Sequence, residues 1–224
     1  TNPSDAESLV RDDIRRREAK TPLFAKLGAS EVGRNERVLL YSQSKRVLQA
    51  LKGVPSGTQR TVDLYVAECR PKSPRPYDDA TAIARSLKDT HYRVTVCPDV
   101  VAINLMSEHQ ISKVLMGTHA VFTDNGAPWA FVNTAGSLAV AIAAERYGIP
   151  LVVVAERAKL KEVGKAGAED EVRPNFEENL LTAATGISDL KTRRHPVEHL
   201  NIGYDLIVAS DVIRIEVADG MEGS

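Results

Sequence analysis

The chain has 224 residues, 43% hydrophobic and 26% charged, an ordinary globular balance with enough length for a sizeable core. Its formal net charge of −1 leaves no global pull toward nucleic acid or an anionic membrane, so neither is expected as a direct partner. No apolar run approaches the ~20 residues needed to span a bilayer, and the polar N-terminus lacks a signal-peptide core; with Cys69 and Cys97 read as reduced core cysteines, a cytoplasmic protein is expected.

Taken in order, Ser4 to Glu7 has capping-box spacing, and Leu9, Val10 and Ile14 carry an amphipathic helix to about Lys20. The mixed charges of Arg11 to Glu18 read as its solvated face. Thr21-Pro22 is expected to end it. Val38 to Tyr41 reads as a strand, and Ser42-Gln43-Ser44 turns into a helix with Val47, Leu48 and Leu51 that stops at Gly53. A Pro55–Gly57 turn, a strand over Thr61 to Glu68, and a proline-rich loop from Arg70 to Tyr77 follow. A helix over Asp78 to Lys88, a strand over Tyr92 to Cys97 and a short helix over Val100 to Met106 come next. The regular alternation of strand and helix predicts an α/β fold, a doubly wound and mostly parallel sheet flanked by helices. Cys69 and Cys97 sit in apolar strand contexts and read as reduced core residues.

The stretch from Lys113 to Glu156 organises the rest. Val114 to Met116, extended by Ala120 to Phe122, is an apolar run suited to a strand covered on both faces. Asp124, Asn125, Gly126, Pro128 and Asn133 are turn formers and predict a polar loop. Gly136-Ser137 opens an apolar helix closed by Gly148, and Pro150 starts a second buried strand. Such a βαβ unit places its loop where open α/β sheets bind ligands. Beyond Glu156 the charge- and glycine-rich Lys159 to Asn179 reads as an exposed excursion, and Tyr204 to Val208 and Val212 to Val217 as the last apolar elements.

Neither G-x-G-x-x-G nor G-x-x-x-x-G-K-[ST] is present, nor a G-x-S-x-G elbow or a C-x-x-C pair, so no cofactor or metal is expected. His195 to His199 matches H-x-x-E-H, but Pro196 and the residues after it do not continue a helix, and a surface loop is the better reading. The βα loops hold the stronger candidates: Ser42, Gln43 and Ser44 after the first strand, Arg70 after the second, and His119, Asn125, Asn133 and Thr134 centrally. Hydroxyls at a helix N-terminus beside an arginine suit a phosphorylated small molecule. Taken singly, Ser42 or Ser44 reads better as an N-cap, and Arg70 as a partner of Glu68 or of a backbone carbonyl; three loops from successive strand ends together make the pocket reading. Trp129, in a polar stretch, is a candidate interface residue.

Four segments in order resemble one family. Lys113–Gly126 followed by Asn133–Gly136 is similar to K-V-x-x-G-A-[DH]-x-x-x-x-N-G-x-x-x-N-K-x-G-T. Val38–Ser44 resembles its I-L-T-[HY]-x-x-S, Glu68–Pro71 its E-x-R-P, and Leu200–Leu206 its N-x-x-[FY]-D-V. This pattern marks the regulatory subunits of eukaryotic translation initiation factor 2B, a guanine nucleotide exchange complex. It also marks their enzyme relatives, methylthioribose-1-phosphate and ribose-1,5-bisphosphate isomerase. The resemblance implies residues 1–35 as an N-terminal helix and linker and 36–224 as a Rossmann-like domain. It implies a homo- or hetero-oligomer of related subunits, a translation factor as partner, and interface residues near Tyr204 and Asp205. The isomerases use a cysteine where this chain has Ser42 and an aspartate where it has His119, and the family lysine is here Thr134. The expectation is therefore a regulatory or scaffold domain without catalysis, with a pocket that senses a sugar phosphate or nucleotide. The alternative is a sugar-1-phosphate aldose–ketose isomerase using His119 or Asp124 as acid/base and Arg70 for phosphate.

Overall fold

A computed structural model describes residues 20–33, 35–54, 62–69, 78–87, 92–165 and 204–218, together with Arg15. The elements run α1 (Thr21–Glu31), β1 (Arg37–Tyr41), α2 (Lys45–Lys52), β2 (Val62–Ala67), α3 (Asp78–Leu87), β3 (Tyr92–Cys97), α4 (Asp99–Ser107), β4 (Lys113–Gly117), β5 (Ala120–Asp124), β6 (Ala127–Thr134), α5 (Ser137–Tyr147), β7 (Leu151–Glu156), a 3₁₀ turn (Arg157–Lys159), β8 (Leu160–Glu162), β9 (Tyr204–Val208) and β10 (Ile213–Ala218).

Six strands form one parallel sheet in the order β10-β7-β4-β1-β2-β3. The expected doubly wound sheet is present, and the winding direction reverses between β1 and β4. Alternate residues of one strand serve opposite faces. Val38 and Leu40 pack with Phe24, Val47, Leu51, Ile83 and Leu87 under α1, α2 and α3. Leu39 and Tyr41 pack with Ala102, Met106, Val140, Ala141 and Ala144 under α4 and α5. The apolar runs of β4 and β7 are buried on both faces, which is why they lack alternation.

Sequence expectations are corrected in three places. Thr21-Pro22 does not end a helix but opens α1, with proline in the first turn, where its missing N–H costs nothing. The helix placed over residues 4–20 lies outside the described residues apart from exposed, helical Arg15 and turn residue Lys20. Secondly, the apolar run from Val114 to Phe122 is two strands in two sheets, and the expected polar loop is mostly strand. The Thr118 hydroxyl lies 2.6 Å from the Ala120 carbonyl and 2.9 Å from that of Val132, and the His119 N–H donates to the Val132 carbonyl at 2.7 Å. There the chain leaves the main sheet and enters a second one, ordered β8-β5-β6-β9. Asn125 and Gly126, at φ +51° and +77°, make the tight turn of the β5–β6 hairpin. An Asn-Gly pair supplies the left-handed geometry that matches strand twist. The start of the expected excursion is also strand, since β8 pairs in parallel with β5.

Candidate functional site

The winding reverses between β1 and β4, so the carboxyl ends of these strands flank the crevice position at which doubly wound sheets carry their ligand sites. Its floor is set by close backbone approaches. A Cβ on Gly117 would stand 2.4 Å from Ser44 Oγ, so only glycine lets the end of β4 lie against the start of α2. Ser44 caps α2, its Oγ accepting the Val47 N–H at 3.3 Å. Gly136, at φ +94°, lies under the Tyr41 ring edge, and its Cβ would stand 1.9 Å from the phenol oxygen. The Tyr41 hydroxyl donates to the Ala135 carbonyl at 3.0 Å, tying the end of β1 to the entry of α5. Burial, then the nearby Cys69, Asp99 and Asp205, push the Tyr41 phenol well above its ordinary range, so it stays a neutral donor.

Ser42 follows β1 at φ +69°, a left-handed backbone unusual for a side-chain-bearing residue, and Cys69 follows β2 at φ +51°. The two are joined, the Ser42 N–H donating to Cys69 Sγ at 2.8 Å. The Cys69 N–H in turn donates to Asp99 Oδ1 at 2.9 Å. The ends of β1 and β2 and the start of α4 are thus tied in series. Ser42 Oγ lies 3.0 Å from Thr134 Oγ1, so a partly buried hydroxyl and a buried one are hydrogen-bonded at the crevice wall, and either can donate. Asn133 is buried beside them, its Nδ2 donating to Ser137 Oγ at 3.0 Å in the first turn of α5. His119 is exposed at the rim and lies against Tyr204, with ring centroids 4.7 Å apart and planes at 35°. The Lys159 ammonium bonds the Thr118 carbonyl beside it. Cys97, buried one strand away, has its thiol pushed up to about 11 by burial, with Asp99 and Glu68 adding to the shift. Cys69 and Cys97 are both buried, and neither is in a disulfide.

Of the candidates read from the sequence, Ser42, Ser44, Asn133, Thr134 and His119 gather around the crevice, with exposed Gln43 between the two serines. Asn125 does not join them. It sits at the hairpin tip, at the far end of β6 from Thr134, roughly 25 Å away at 3.3 Å per residue. Its N–H donates to Glu162 Oε1 at 2.6 Å. Arg70 and the His195–His199 motif lie outside the described residues. Asp124, the other acid/base candidate, sits beside Asn125 at the hairpin tip and bonds its amide. Trp129 is half-buried, its Nε1–H donating to the Val163 carbonyl at 2.9 Å and its ring packed near Phe122. Asp205 Oδ2 accepts the Leu138 N–H at 2.9 Å at the N-terminus of α5. The residues sequence reading passed over are Tyr41, Cys69, Asp99 and Lys159. Their roles depend on contacts between elements, and only the glycines at 117 and 136 hinted at close approaches.

A parallel sheet wound both ways, with a hydroxyl-lined crevice at its reversal, defines an α/β protein of the Rossmann-like class. Within that class, the profile of the Initiation factor 2 subunit family matches residues 4–219, and the chain belongs to that family. It is 29% identical over 173 residues to translation initiation factor eIF2B subunit beta of Schizosaccharomyces pombe, covering 77% of this chain and 40% of that protein. The chain thus spans well under half the length of that relative. Among solved structures it is similar to the delta subunit of translation initiation factor eIF-2B from A. fulgidus (TM-score 0.65, 20% identity, 92% of this chain and 57% of that one). It is also similar to 5-methylthioribose 1-phosphate isomerase from Pyrococcus horikoshii OT3 (TM-score 0.60, 18% identity, 83% and 50%). The tetrameric eIF2B-beta2-delta2 complex from C. thermophilum matches as well (TM-score 0.54, 20% identity, 75% and 53%). At these identities the solved structures establish the fold. Among the described residues no helix is long and apolar enough to cross a membrane.

Proposed function

We propose that this chain is a cytoplasmic regulatory or scaffold domain that works by assembling with related subunits. Its crevice takes a phosphorylated sugar or nucleotide as a sensed ligand rather than a substrate. The reading is carried by the chemistry at the crevice wall. By the resemblance, Ser42 stands where the isomerases place a thiol and His119 where they place a carboxylate; Ser42 is hydrogen-bonded to Thr134 and the His119 imidazole lies against Tyr204. A serine hydroxyl has no accessible anion at neutral pH, and a stacked imidazole does not replace a carboxylate moving a proton between sugar carbons. What remains is a cluster of hydroxyl and amide groups at the strand ends, the chemistry that suits holding a polar ligand. Assembly with related subunits is supported by the beta–delta complex among the fold's neighbours. By the resemblance, Arg70 supplies the phosphate contact.

The test is a thermal-shift and calorimetric titration with ribose 1,5-bisphosphate, methylthioribose 1-phosphate and nucleoside monophosphates. A bound ligand at about 100 times its Kd raises stability by roughly 2.7 kcal/mol. The expected result is a shift with one of them, lost in Arg70→Ala, and no conversion of the two sugar phosphates. Turnover by the unmodified chain would overturn the reading in favour of the isomerase. Turnover gained only in the Ser42→Cys, His119→Asp double variant would show that those two groups are what the chain lacks. No shift with any ligand would remove the sensing pocket and leave assembly alone.

A further inference from the structure

The amino ends of β1, β2 and β3 carry a row of charges across the sheet. In register, Arg37 of β1 adjoins Asp63 of β2, and Asp63 adjoins Arg93 of β3. Their strand neighbours Val38, Val62, Leu64 and Tyr92 pack under α1, α2 and α3, so the charges stand on the other face, toward α4. Arg37 Nη2 donates to the carbonyl of His109, just past the end of α4, at 3.0 Å. Arg93 Nη2 donates to Asp63 Oδ2 at 2.6 Å. The three side chains, with the neutral amide of Asn35, line an open cavity of about 420 Å³. The crevice lies at the other ends of the same strands, roughly 13 Å off even from Asp63 to Ala67 at 3.3 Å per residue.

The polar groups of this cavity keep bonding capacity in hand. Arg37 has no carboxylate partner among the described residues. The Arg93 side chain is 72% exposed. Asp63 Oδ1 is buried and makes no hydrogen bond among the described residues. A buried acceptor without a donor costs free energy that a donor returns. This leftover capacity discriminates between ligands. A plain oxyanion suits the arginines and is repelled by Asp63. A plain amine suits Asp63 and is repelled by the arginines. A molecule with a carboxylate and an ammonium on one carbon answers both.

We propose that this cavity is a binding site for a free α-amino acid, its carboxylate held by the Arg37 guanidinium and its ammonium by Asp63. Neighbouring strands stand about 4.8 Å apart, so one short ligand spans both residues. Arg93 holds the Asp63 carboxylate from the far side and acts as a positioning residue. The inference is independent of the crevice and of what the crevice binds.

The test is calorimetric titration of the whole chain with each standard amino acid, read alongside the side-chain N–H resonances of Arg37 and Arg93. At least one amino acid should bind and shift both arginine signals. Acetate, and the amine that lacks the carboxylate of the bound amino acid, should each bind at least roughly tenfold more weakly. Asp63→Asn keeps the shape and removes the charge, and it should weaken binding roughly tenfold. Arg37→Gln should do the same. Because Arg37 also holds the His109 carbonyl, Arg37→Lys is the companion variant. It keeps the charge but loses the two-pronged grip on a carboxylate, and it too should lose affinity. Circular dichroism and melting temperature of each variant separate lost binding from lost folding. No binding by any amino acid overturns the proposal. Binding unchanged in Asp63→Asn places the ligand elsewhere and overturns it as well. Acetate binding as tightly as the amino acid reduces the cavity to a patch for anions and removes the role given to Asp63.

Discussion

The junction between Tyr41 and Gly136 shows how one missing carbon holds a site together. Gly136 sits at φ +94°, and a Cβ there would fall inside the van der Waals sphere of the Tyr41 oxygen. Gly136→Ala should therefore cost about 2–4 kcal/mol in urea denaturation, from left-handed strain plus the clash. Tyr41→Phe alone should cost roughly 1 kcal/mol, the net worth of its bond to the Ala135 carbonyl. Combined, the two should cost less than their sum, because removing the hydroxyl relieves the clash. Strictly additive costs would show that the two residues do not touch. Of this junction the sequence disclosed the glycine and its place before a helix. It did not disclose the tyrosine, 95 positions away, because side-chain reach across strand ends has no local signature. Ser44 as an N-cap and Gly148 after α5 were legible, because capping is local in the chain.

Among the elements, the β5–β6 hairpin is held from outside by β8. Glu162 accepts from Thr123 Oγ1 at 2.6 Å, from the Asn125 N–H at 2.6 Å and from the Gly126 N–H at 3.3 Å. The Thr123 hydroxyl first, then the two turn amides, hold its carboxyl below the ordinary glutamate range, outweighing desolvation. A depressed folded-state pKa gives support that is full above the unfolded value of about 4.3 and is lost as pH falls through the folded one. The amide signals of Asn125 and Gly126 should accordingly titrate together with a midpoint below about 4.3, and Glu162→Gln should abolish that titration. A midpoint at or above the free glutamate value would contradict the cap. The Asn-Gly turn was visible in the sequence, but the strand after it was not. Pro128 and Asn133 made Ala127 to Thr134 look like loop, yet Pro128 sits at the strand's exposed start, where a missing donor is tolerated.

Across the whole molecule, ion pairs join the helical layer to the sheet, Arg46–Glu156 alongside Lys113–Glu31 and Arg214–Glu31 among the described residues. Arg46 of α2 donates to Glu156 at the end of β7 at 2.6 Å, its guanidinium also lying over the Phe24 ring of α1 at 5.0 Å. The two side chains are 10% and 19% exposed, so the pair is largely removed from solvent. Glu156→Ala leaves the arginine charge without its carboxylate and should cost about 2 kcal/mol, below the ~3–5 kcal/mol of a fully buried pair because Glu156 keeps some water. A loss under about 0.5 kcal/mol by urea denaturation would mean that the pair behaves as a surface bridge. Alternation of apolar runs and helical patterns by itself determined the α/β class and the bounds of most main-sheet strands, because both periods are written in neighbouring residues. The family motifs likewise lay in the order of the chain, and so did the serines and asparagine at the strand ends. Which strands adjoin, where the winding reverses, and that residues 120–134 leave the main sheet for a second one were decided only by the tertiary structure. So was the separation of Asn125 from Thr134. Those choices rest on burial and hydrogen bonds between segments far apart in sequence, whose free energy no local pattern records.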